Sequence, residues 1–233
     1  MSFHAFTLSD AALQARGSGA LWWPAEAVLT VSDLHLGKSA RIARRGGTLL
    51  PPYETRETLA RLDAEIEALD PATVVCLGDS FDDLAAAALP DDEAGWLARL
   101  MAGRRWIWIE GNHDPGPLTL GGTHLAELRA GPLVFRHIAR AEHSAEISGH
   151  YHPKARLPGG GSARPCFLID GARVILPAFG CYTGGLETGA AVLDALMGPR
   201  AVAVLCGPRA VAMPMRPALS RSPRSRPRRG SFG

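Results

Sequence analysis

The chain has 233 residues, of which 46% are apolar, and it is long enough to bury the core of one large domain or two small ones. It contains no run of about 18 apolar residues, and no basic segment followed by an apolar run at its N-terminus. Its four cysteines lack the CxxC spacing of zinc and redox motifs. We therefore predict a cytoplasmic protein with neither a membrane span nor a secretion signal.

Positive charge is concentrated near the C-terminus. Residues 195–233 contain eight Arg and no acidic residue, whereas residues 1–194 carry 17 basic and 23 acidic side chains. The Arg, Ser and Pro of residues 216–233 cannot bury enough apolar surface to fold, so we predict one domain over residues 1–215 and a disordered basic tail. Either the tail binds a phosphate backbone through its charge, or it is a solvated segment without a binding role.

The first half of the chain predicts alternating strands and helices. Short β-rich apolar runs indicate strands, and apolar residues on one helical face indicate helices. In order, the predicted elements are two short strands around Gly17-Ser18-Gly19, a strand at 27–31, a helix at 55–69, a strand at 73–77, a helix from Asp91 to Gly103 and a strand at 105–109. A strand, helix and strand in succession imply parallel neighbours joined by a right-handed crossover.

The second half predicts strands with short connections. Strands are predicted at 133–135 and 145–148, and hairpins at 166–169 with 172–176 and at 201–206 with 210–213. The two-residue turn Asp170-Gly171 is typical of a hairpin. The chain as a whole therefore predicts an α/β fold with parallel strands first and antiparallel pairs after them.

Polar side chains that can bind metals follow five of the predicted strands. Parallel strands place their C-terminal ends on one edge of a sheet, so we expect these side chains to converge there. A single histidine is more often a structural residue, but structural histidines have no reason to cluster at strand ends. The candidate ligands are Asp33, His35, Asp79, Asn112, His137, His150 and His152.

This donor set predicts a site for two metal ions. Seven oxygen and nitrogen donors without a thiolate are too many for one tetrahedral zinc, and they suit two first-row ions if Asp79 bridges them. We assign Asp33, His35, Asp79 and His152 to one ion, and Asp79, Asn112, His137 and His150 to the other. Two ions about 4 Å apart can hold a bridging hydroxide that attacks phosphorus.

His113 and Asp114 directly follow the candidate ligand Asn112. An imidazole beside a metal ligand is placed to protonate a leaving alkoxide, so we predict that His113 is a general acid. We also predict that the Asp114 carboxylate orients the His113 ring.

Four basic residues follow the first pair of candidate ligands closely in sequence: Lys38, Arg41, Arg44 and Arg45. Because this segment is expected to border the site, we predict that these residues bind flanking phosphates of a substrate. The alternative is an exposed basic loop.

The motifs resemble the five-part signature of calcineurin-like metallophosphoesterases. The matching motifs are Asp33-x-His35, Gly78-Asp79-x-x-Asp82, Gly111-Asn112-His113-Asp114, a lone His137 and Gly149-His150-x-His152. The resemblance implies a four-layer sandwich of two mixed β-sheets flanked by helices.

A closer similarity is to the ligase-associated DNA damage response endonucleases. The matching stretches are His35-Leu36-Gly37-Lys38, Arg44-Arg45-Gly46, Leu77-Gly78-Asp79-Ser80-Phe81, His150-Tyr151-His152-Pro153-Lys154, Pro177-Ala178-Phe179-Gly180 and Thr183-Gly184-Gly185-Leu186. The resemblance implies a manganese-dependent phosphodiesterase that nicks single-stranded DNA in repair, encoded beside a DNA ligase, an exonuclease and a helicase. The chain departs from this pattern at Asp82-Asp83-Leu84, where His-Asp and a nearby Arg are expected, so we predict the loss of a contact to phosphate.

Two other functions are compatible with the sequence. The same metal site could act on a small phosphoester such as a nucleotide or a lipid-linked diphosphate, which the acidic body of the chain favours because nucleic-acid enzymes typically have a basic face. A non-catalytic scaffold with this fold is the second alternative, although a scaffold has no need of a full ligand set and His113.

Overall fold

The computed structural model describes residues 2–44, 46, 53–116, 120–157 and 159–216. Arg216, the first residue of the predicted tail, is held by the folded part of the chain. Its guanidinium donates to the Asp194 carboxylate at 2.6 Å and to the Gly198 carbonyl at 2.7 Å. The rest of the predicted tail lies outside the described residues, as does Arg45.

The first sheet has seven strands in chain order. They are β1 (Phe3–Leu8), β2 (Ala11–Arg16), β3 (Leu21–Trp23), β4 (Val28–Val31), β5 (Thr73–Leu77), β6 (Arg105–Ile109) and β7 (Thr123–Leu125). The pairs from β1 to β4 are antiparallel, and those from β4 to β7 are parallel. Helix α1 (Lys38–Arg44) and helix α2 (Glu54–Leu69) connect β4 to β5, and α3 (Asp91–Met101) connects β5 to β6. The predicted parallel crossovers are confirmed.

The second sheet contains β8 (Leu128–Ala130), β9 (Leu133–Phe135), β10 (Glu146–Ser148), β11 (Lys154–Ala155), β12 (Arg164–Ile169), β13 (Arg173–Ile175), β14 (Val202–Leu205) and β15 (Val211–Pro214). Its strand order is β15-β14-β12-β13-β10-β9-β8, with β11 paired to β12. Strands β9, β10 and β13 are parallel neighbours, and the remaining pairs are antiparallel. Both predicted hairpins of the second half are present.

Three apolar clusters hold these layers together. The largest lies between the sheets and joins residues such as Val75 and Phe135. A second packs α2 and α3 against the outer face of the first sheet, and a third packs α4 (Ala191–Leu196) against the outer face of the second sheet. The two mixed sheets flanked by helices confirm the expected four-layer sandwich. Among the described residues, no helix is long and apolar enough to cross a membrane.

The N-terminal segment differs from the prediction, because it forms three strands instead of two. Ser9 and Asp10 both have positive φ, 46° and 68°, and turn the chain between β1 and β2. Two consecutive left-handed residues give the turn whose twist matches a hairpin, but Ser-Asp is not among the pairs that announce it in a sequence.

Candidate metal centre

The seven candidate ligands come from two sheets, not from the edge of one sheet as expected. Asp33 and His35 follow β4, Asp79 follows β5, and Asn112 follows β6 in the first sheet. His137 follows β9 in the second sheet, and the loop after β10 carries His150 and His152. The two sheets pack face to face, so the ends of their parallel strands meet in one site.

Asp33, His35 and His152 form the first ligand group, and one donor atom from each lies within 4.8 Å of the others. His152 Nε2 is 3.2 Å from Asp33 Oδ1 and 3.4 Å from His35 Nε2. The other carboxylate oxygen of Asp33 accepts hydrogen bonds from Ser32 Oγ at 2.5 Å and from the His150 N–H at 3.0 Å. These bonds leave Oδ1 facing His152 Nε2.

Asp79, His137 and His150 form the second ligand group. His137 Nε2 lies 3.3 Å from Asp79 Oδ2, 3.2 Å from His150 Nδ1 and 3.0 Å from Asn112 Oδ1. The opposite ring nitrogen of His137 lies 2.8 Å from the Leu77 carbonyl, so it carries a proton, and Nε2 is the nitrogen that would bind a metal after losing its own. The His137 ring also lies 3.9 Å from Asp33 Oδ1, which makes the two groups neighbours.

The residues of both groups fit divalent cations. Asp33 Oδ1 is buried and has no hydrogen-bond partner among the described residues, although it lies 3.2 Å from His152 Nε2 and 3.9 Å from His137 Nδ1. Burial alone raises the pKa of Asp79, but the hydrogen bond and charge of His137 outweigh this effect and lower the pKa to about 2. The carboxylates in turn raise the pKa of His137 against the opposing effect of burial. The centre therefore favours positive charge, and its donors suit first-row ions.

Five of the candidate ligands share an uncommon backbone conformation. Non-glycine residues rarely adopt positive φ, and such residues concentrate at functional sites. The ligands with φ between 46° and 72° are Asp33, His35, Asp79, His150 and His152. Its concentration at five of the seven candidate ligands supports a functional site at these strand ends.

Asp114 does not orient His113, and that prediction is wrong. Its carboxylate accepts hydrogen bonds from four backbone N–H groups, those of Asp79, Ser80, Phe81 and Gly111, at 2.8–3.2 Å. Burial raises the pKa of this carboxyl group despite these bonds. Asp114 therefore holds the loop that presents Asp79, and the His113 ring is oriented by another partner.

The half-buried ring of His113 lies beside the first ligand group. Its centroid is 5.2 Å from that of His35, and its Nδ1 is 2.9 Å from the carbonyl oxygen of Asp82. This carbonyl accepts the Nδ1 proton and leaves Nε2 for proton transfer. The His113 N–H donates to Asp79 Oδ1 at 2.8 Å, which couples the position of this residue to a candidate ligand.

Asp82 supports the first ligand group in a way that the sequence did not indicate. Its carboxylate accepts the Nδ1 proton of His35 at 2.9 Å, so that His35 Nε2 is free to bind a metal. Arg41 of α1 also donates to this carboxylate, which is 1% exposed. An arginine from a different element, Arg41 of α1, therefore lies beside Asp82 instead of the nearby Arg that the motif predicts. Asp82, His35 and His113 also form a third close group of donors.

Asp82→Ala is expected to weaken metal binding by about 10- to 100-fold, because an unsupported His35 ring loses its orientation and basicity. Equilibrium titration of the metal-free protein with Mn²⁺ measures this change. Asp83→Ala is the matched control, since the Asp83 carboxylate pairs with the exposed Arg44 and not with a candidate ligand. Equal affinities of the two variants would contradict the supporting role of Asp82.

The predicted phosphate-binding residues differ in whether their side chains already pair with a carboxylate. Arg41 is paired with Asp82, and Arg44 Nη2 lies 2.8 Å from Asp83 Oδ1. Lys38 is half-buried at the start of α1 and makes no side-chain hydrogen bond or ion pair within the part of the chain that is described. Phosphate binding by Arg41 or Arg44 would require either residue to exchange a carboxylate partner.

Residues 27–185 match the model of the calcineurin-like phosphoesterase family. This segment is more than half of the chain and contains all seven candidate ligands, so the chain belongs to this family. Its members use divalent metals and catalyse hydrolysis, which agrees with the donor set of the two ligand groups.

The structure is similar to the crystal structure of the Pseudomonas putida nuclease MPE. The TM-score is 0.70 and the sequences are 29% identical, over 88% of this chain and 96% of the nuclease. No protein among the curated sequences matches the chain.

Proposed function

We propose that this protein is a phosphodiesterase that depends on two divalent ions and cleaves single-stranded DNA internally, in DNA repair. The observation that carries the proposal is the pair of adjacent ligand groups in one site. Similarity to a nuclease supports a polynucleotide substrate. The repair role beside a ligase, an exonuclease and a helicase is supported by the sequence motifs alone.

Each of the two proposed ions is assigned to one ligand group. Asp33, His35 and His152 would hold one ion, Asn112, His137 and His150 would hold the other, and Asp79 would be a ligand shared by both. When bound, two such ions activate water and stabilise negative charge on phosphoryl oxygens. We propose Mn²⁺ as the ion, although iron and zinc accept the same donors.

His113 is the proposed general acid. With both ring nitrogens protonated, Nδ1–H donates to the Asp82 carbonyl and Nε2–H gives its proton to the leaving alkoxide as the bond from phosphorus to oxygen breaks, which leaves a neutral imidazole. The hydrogen bond from the His113 N–H to Asp79 fixes the distance between this acid and the ligand groups. Asp114 acts only indirectly, because it holds the backbone that carries Asp79.

A small phosphoester is the second candidate substrate. The pairing of Arg41 and Arg44 with Asp82 and Asp83 removes two cations from the border of the site, which favours a substrate with few phosphates. The described residues nevertheless contain a cleft beside the second ligand group, and this cleft extends the site beyond a single phosphate.

Cleavage of closed circular single-stranded DNA by the purified protein with Mn²⁺ tests the proposal. A circle has no ends, so only internal scission converts it to a linear form. We expect the wild type to linearise the circle and Asn112→Ala to leave it intact. If the circle survives while an aryl phosphodiester is hydrolysed, the substrate is a small phosphoester. If neither is hydrolysed with Mn²⁺, Fe²⁺ or Zn²⁺, the proposed activity is wrong.

A further inference from the structure

A cleft of about 440 Å³ opens beside the second ligand group, and we name it the Arg140 cleft. The candidate ligands Asn112 and His137 line it, and so do Glu110, Ile138 and Arg140. Its volume lies within the range of roughly 300–1,000 Å³ that is typical of sites for small ligands. Any substrate that reacts at the ligand groups has a direct path into this space.

Arg136 and Glu127 also line the cleft, and their opposite charges neutralise each other. Arg136, which is 4% exposed, donates to Glu127 at 2.9 Å and lies 3.3 Å from the buried carboxylate of Glu146. Glu127 also pairs with Arg129 at 3.0 Å. Because these groups already have partners, they shape the cleft and leave little charge for a ligand.

Among the described residues that line the cleft, Arg140 is the cation that remains available. Its backbone N–H donates to both oxygens of the Glu146 carboxylate, at 3.0 and 3.2 Å, and this fixes the position of its main chain. Its side chain is exposed, and within the described residues the guanidinium makes no hydrogen bond or ion pair, although its charge acts at longer range on Glu127. An anchored backbone with a free guanidinium suits the binding of an anion.

Ile138 supplies an apolar surface in the same cleft. Its side chain is 43% exposed, although it directly follows the candidate ligand His137. An exposed apolar side chain between a candidate ligand and a free arginine matches the alternation of phosphate with sugar and base along a nucleic-acid strand.

We propose that the Arg140 cleft binds the nucleotide next to the scissile phosphate of single-stranded DNA. Arg140 donates to the phosphate of this nucleotide, and Ile138 packs against its sugar or base. A planar guanidinium with several N–H donors matches the geometry of phosphate oxygens. This inference rests on the proposed endonuclease function and adds to it a subsite that positions the strand.

Glu110 has an opposing effect on the same ligand. It is exposed, and its carboxylate has no hydrogen-bond or ion-pair partner among the residues of the described segments. Its charge repels phosphate, and it repels the two charges of a terminal phosphomonoester more strongly than the single charge of an internal phosphodiester. Arg140 attracts phosphate in either form, so it is Glu110 that disfavours a terminal phosphomonoester at this subsite.

Steady-state kinetics of three variants on a short single-stranded oligonucleotide tests the subsite. We expect Arg140→Gln to raise the KM about tenfold, because a charge-assisted hydrogen bond to phosphate is lost. Glu110→Gln is expected to lower the KM about two- to threefold. Arg105→Gln is the matched control, since Arg105 is exposed at the opposite end of β6 from the site, and its KM is expected to stay unchanged.

Kinetics on a small substrate and at several salt concentrations distinguish the loss of a subsite contact from a structural effect of the substitution. An aryl phosphodiester has no second nucleotide to occupy the cleft, so the KM of Arg140→Gln is expected to change much less on this substrate than on DNA, and Arg105→Gln is expected to keep the wild-type kcat and KM. The dependence of log KM on log salt concentration is expected to fall by about 0.7 for Arg140→Gln, as for one lost contact to a single strand.

The outcomes distinguish this proposal from the one on which it rests. If the wild type cleaves DNA and Arg140→Gln has the KM of Arg105→Gln, the subsite is wrong and the endonuclease function stands. An equal loss on DNA and on the aryl ester by Arg140→Gln overturns the subsite as well. If the wild type cleaves no DNA, both proposals are wrong.

Discussion

Replacement of His113 by alanine is expected to lower kcat on DNA by about 10²- to 10⁴-fold while both metal ions remain bound. The leaving group of a DNA phosphodiester is an alkoxide, which departs with difficulty unless it receives a proton. The His113 ring is held by the Asp82 carbonyl with Nε2 free to donate that proton. An aryl phosphodiester has a good leaving group and needs no acid, so its kcat is expected to fall much less.

The metal content of the variant and its kcat on DNA and on the aryl phosphodiester test this prediction. Asn112→Ala is the control, because the loss of a candidate ligand is expected to impair hydrolysis of DNA and of the aryl ester alike. His113 also belongs to a close group of donors with His35 and Asp82, which is an alternative place for a metal. If His113→Ala loses metal, or loses activity equally on both substrates, then His113 acts as a ligand and not as a general acid.

The parallel part of the first sheet could be predicted because its signals are local. Strands β4, β5 and β6 are short apolar runs, and α2 and α3 have periodic apolar faces, so their order and direction follow from sequence spacing. The same strand order predicts that Asp33, Asp79 and Asn112 lie close together, since each follows one of these strands.

The division of the ligands between two sheets could not be predicted in the same way. Strands β9 and β10 are only three residues long, and their local sequence does not determine which strands they pair with. Their assignment to a second sheet depends on burial of Phe135 and Ile147 between the layers, which is a long-range effect. The sequence therefore indicated that His137 and His150 join the site, but not from which side.

The partners of polar side chains were the least predictable feature of the site. Asp114 is adjacent to His113 in sequence, yet its carboxylate binds the backbone of residues 79–81 because that loop lies across from it. The pairing of Asp82 with Arg41 likewise depends on where α1 packs. Adjacent residues at a strand end often point in different directions, so neighbours in sequence need not be neighbours in a site.

Gly111→Ala is expected to reduce hydrolysis of both DNA and the aryl phosphodiester by about 10²-fold or more, because small displacements of reacting groups have effects of this size. A Cβ atom at Gly111 would lie 2.1 Å from the Asp79 nitrogen, 2.3 Å from Asp79 Oδ1 and 2.5 Å from Asp114 Oδ1. None of these atoms is the end of a flexible side chain with space to move. The added methyl group therefore displaces a candidate ligand together with the carboxylate that holds its loop.

Gly116→Ala is the matched control for this variant. It lies on the same connection after β6, and a Cβ atom there would have no neighbour within 4 Å among the residues that the structure describes. Both substitutions restrict the unfolded chain equally, so the difference in their thermal unfolding isolates the steric effect, which we expect to destabilise Gly111→Ala by about 1–3 kcal/mol. Kinetics with both substrates and a metal titration complete the comparison. Activity of Gly111→Ala equal to that of Gly116→Ala would mean that the Asp79 loop can move without loss of function, which a preorganised metal centre does not allow.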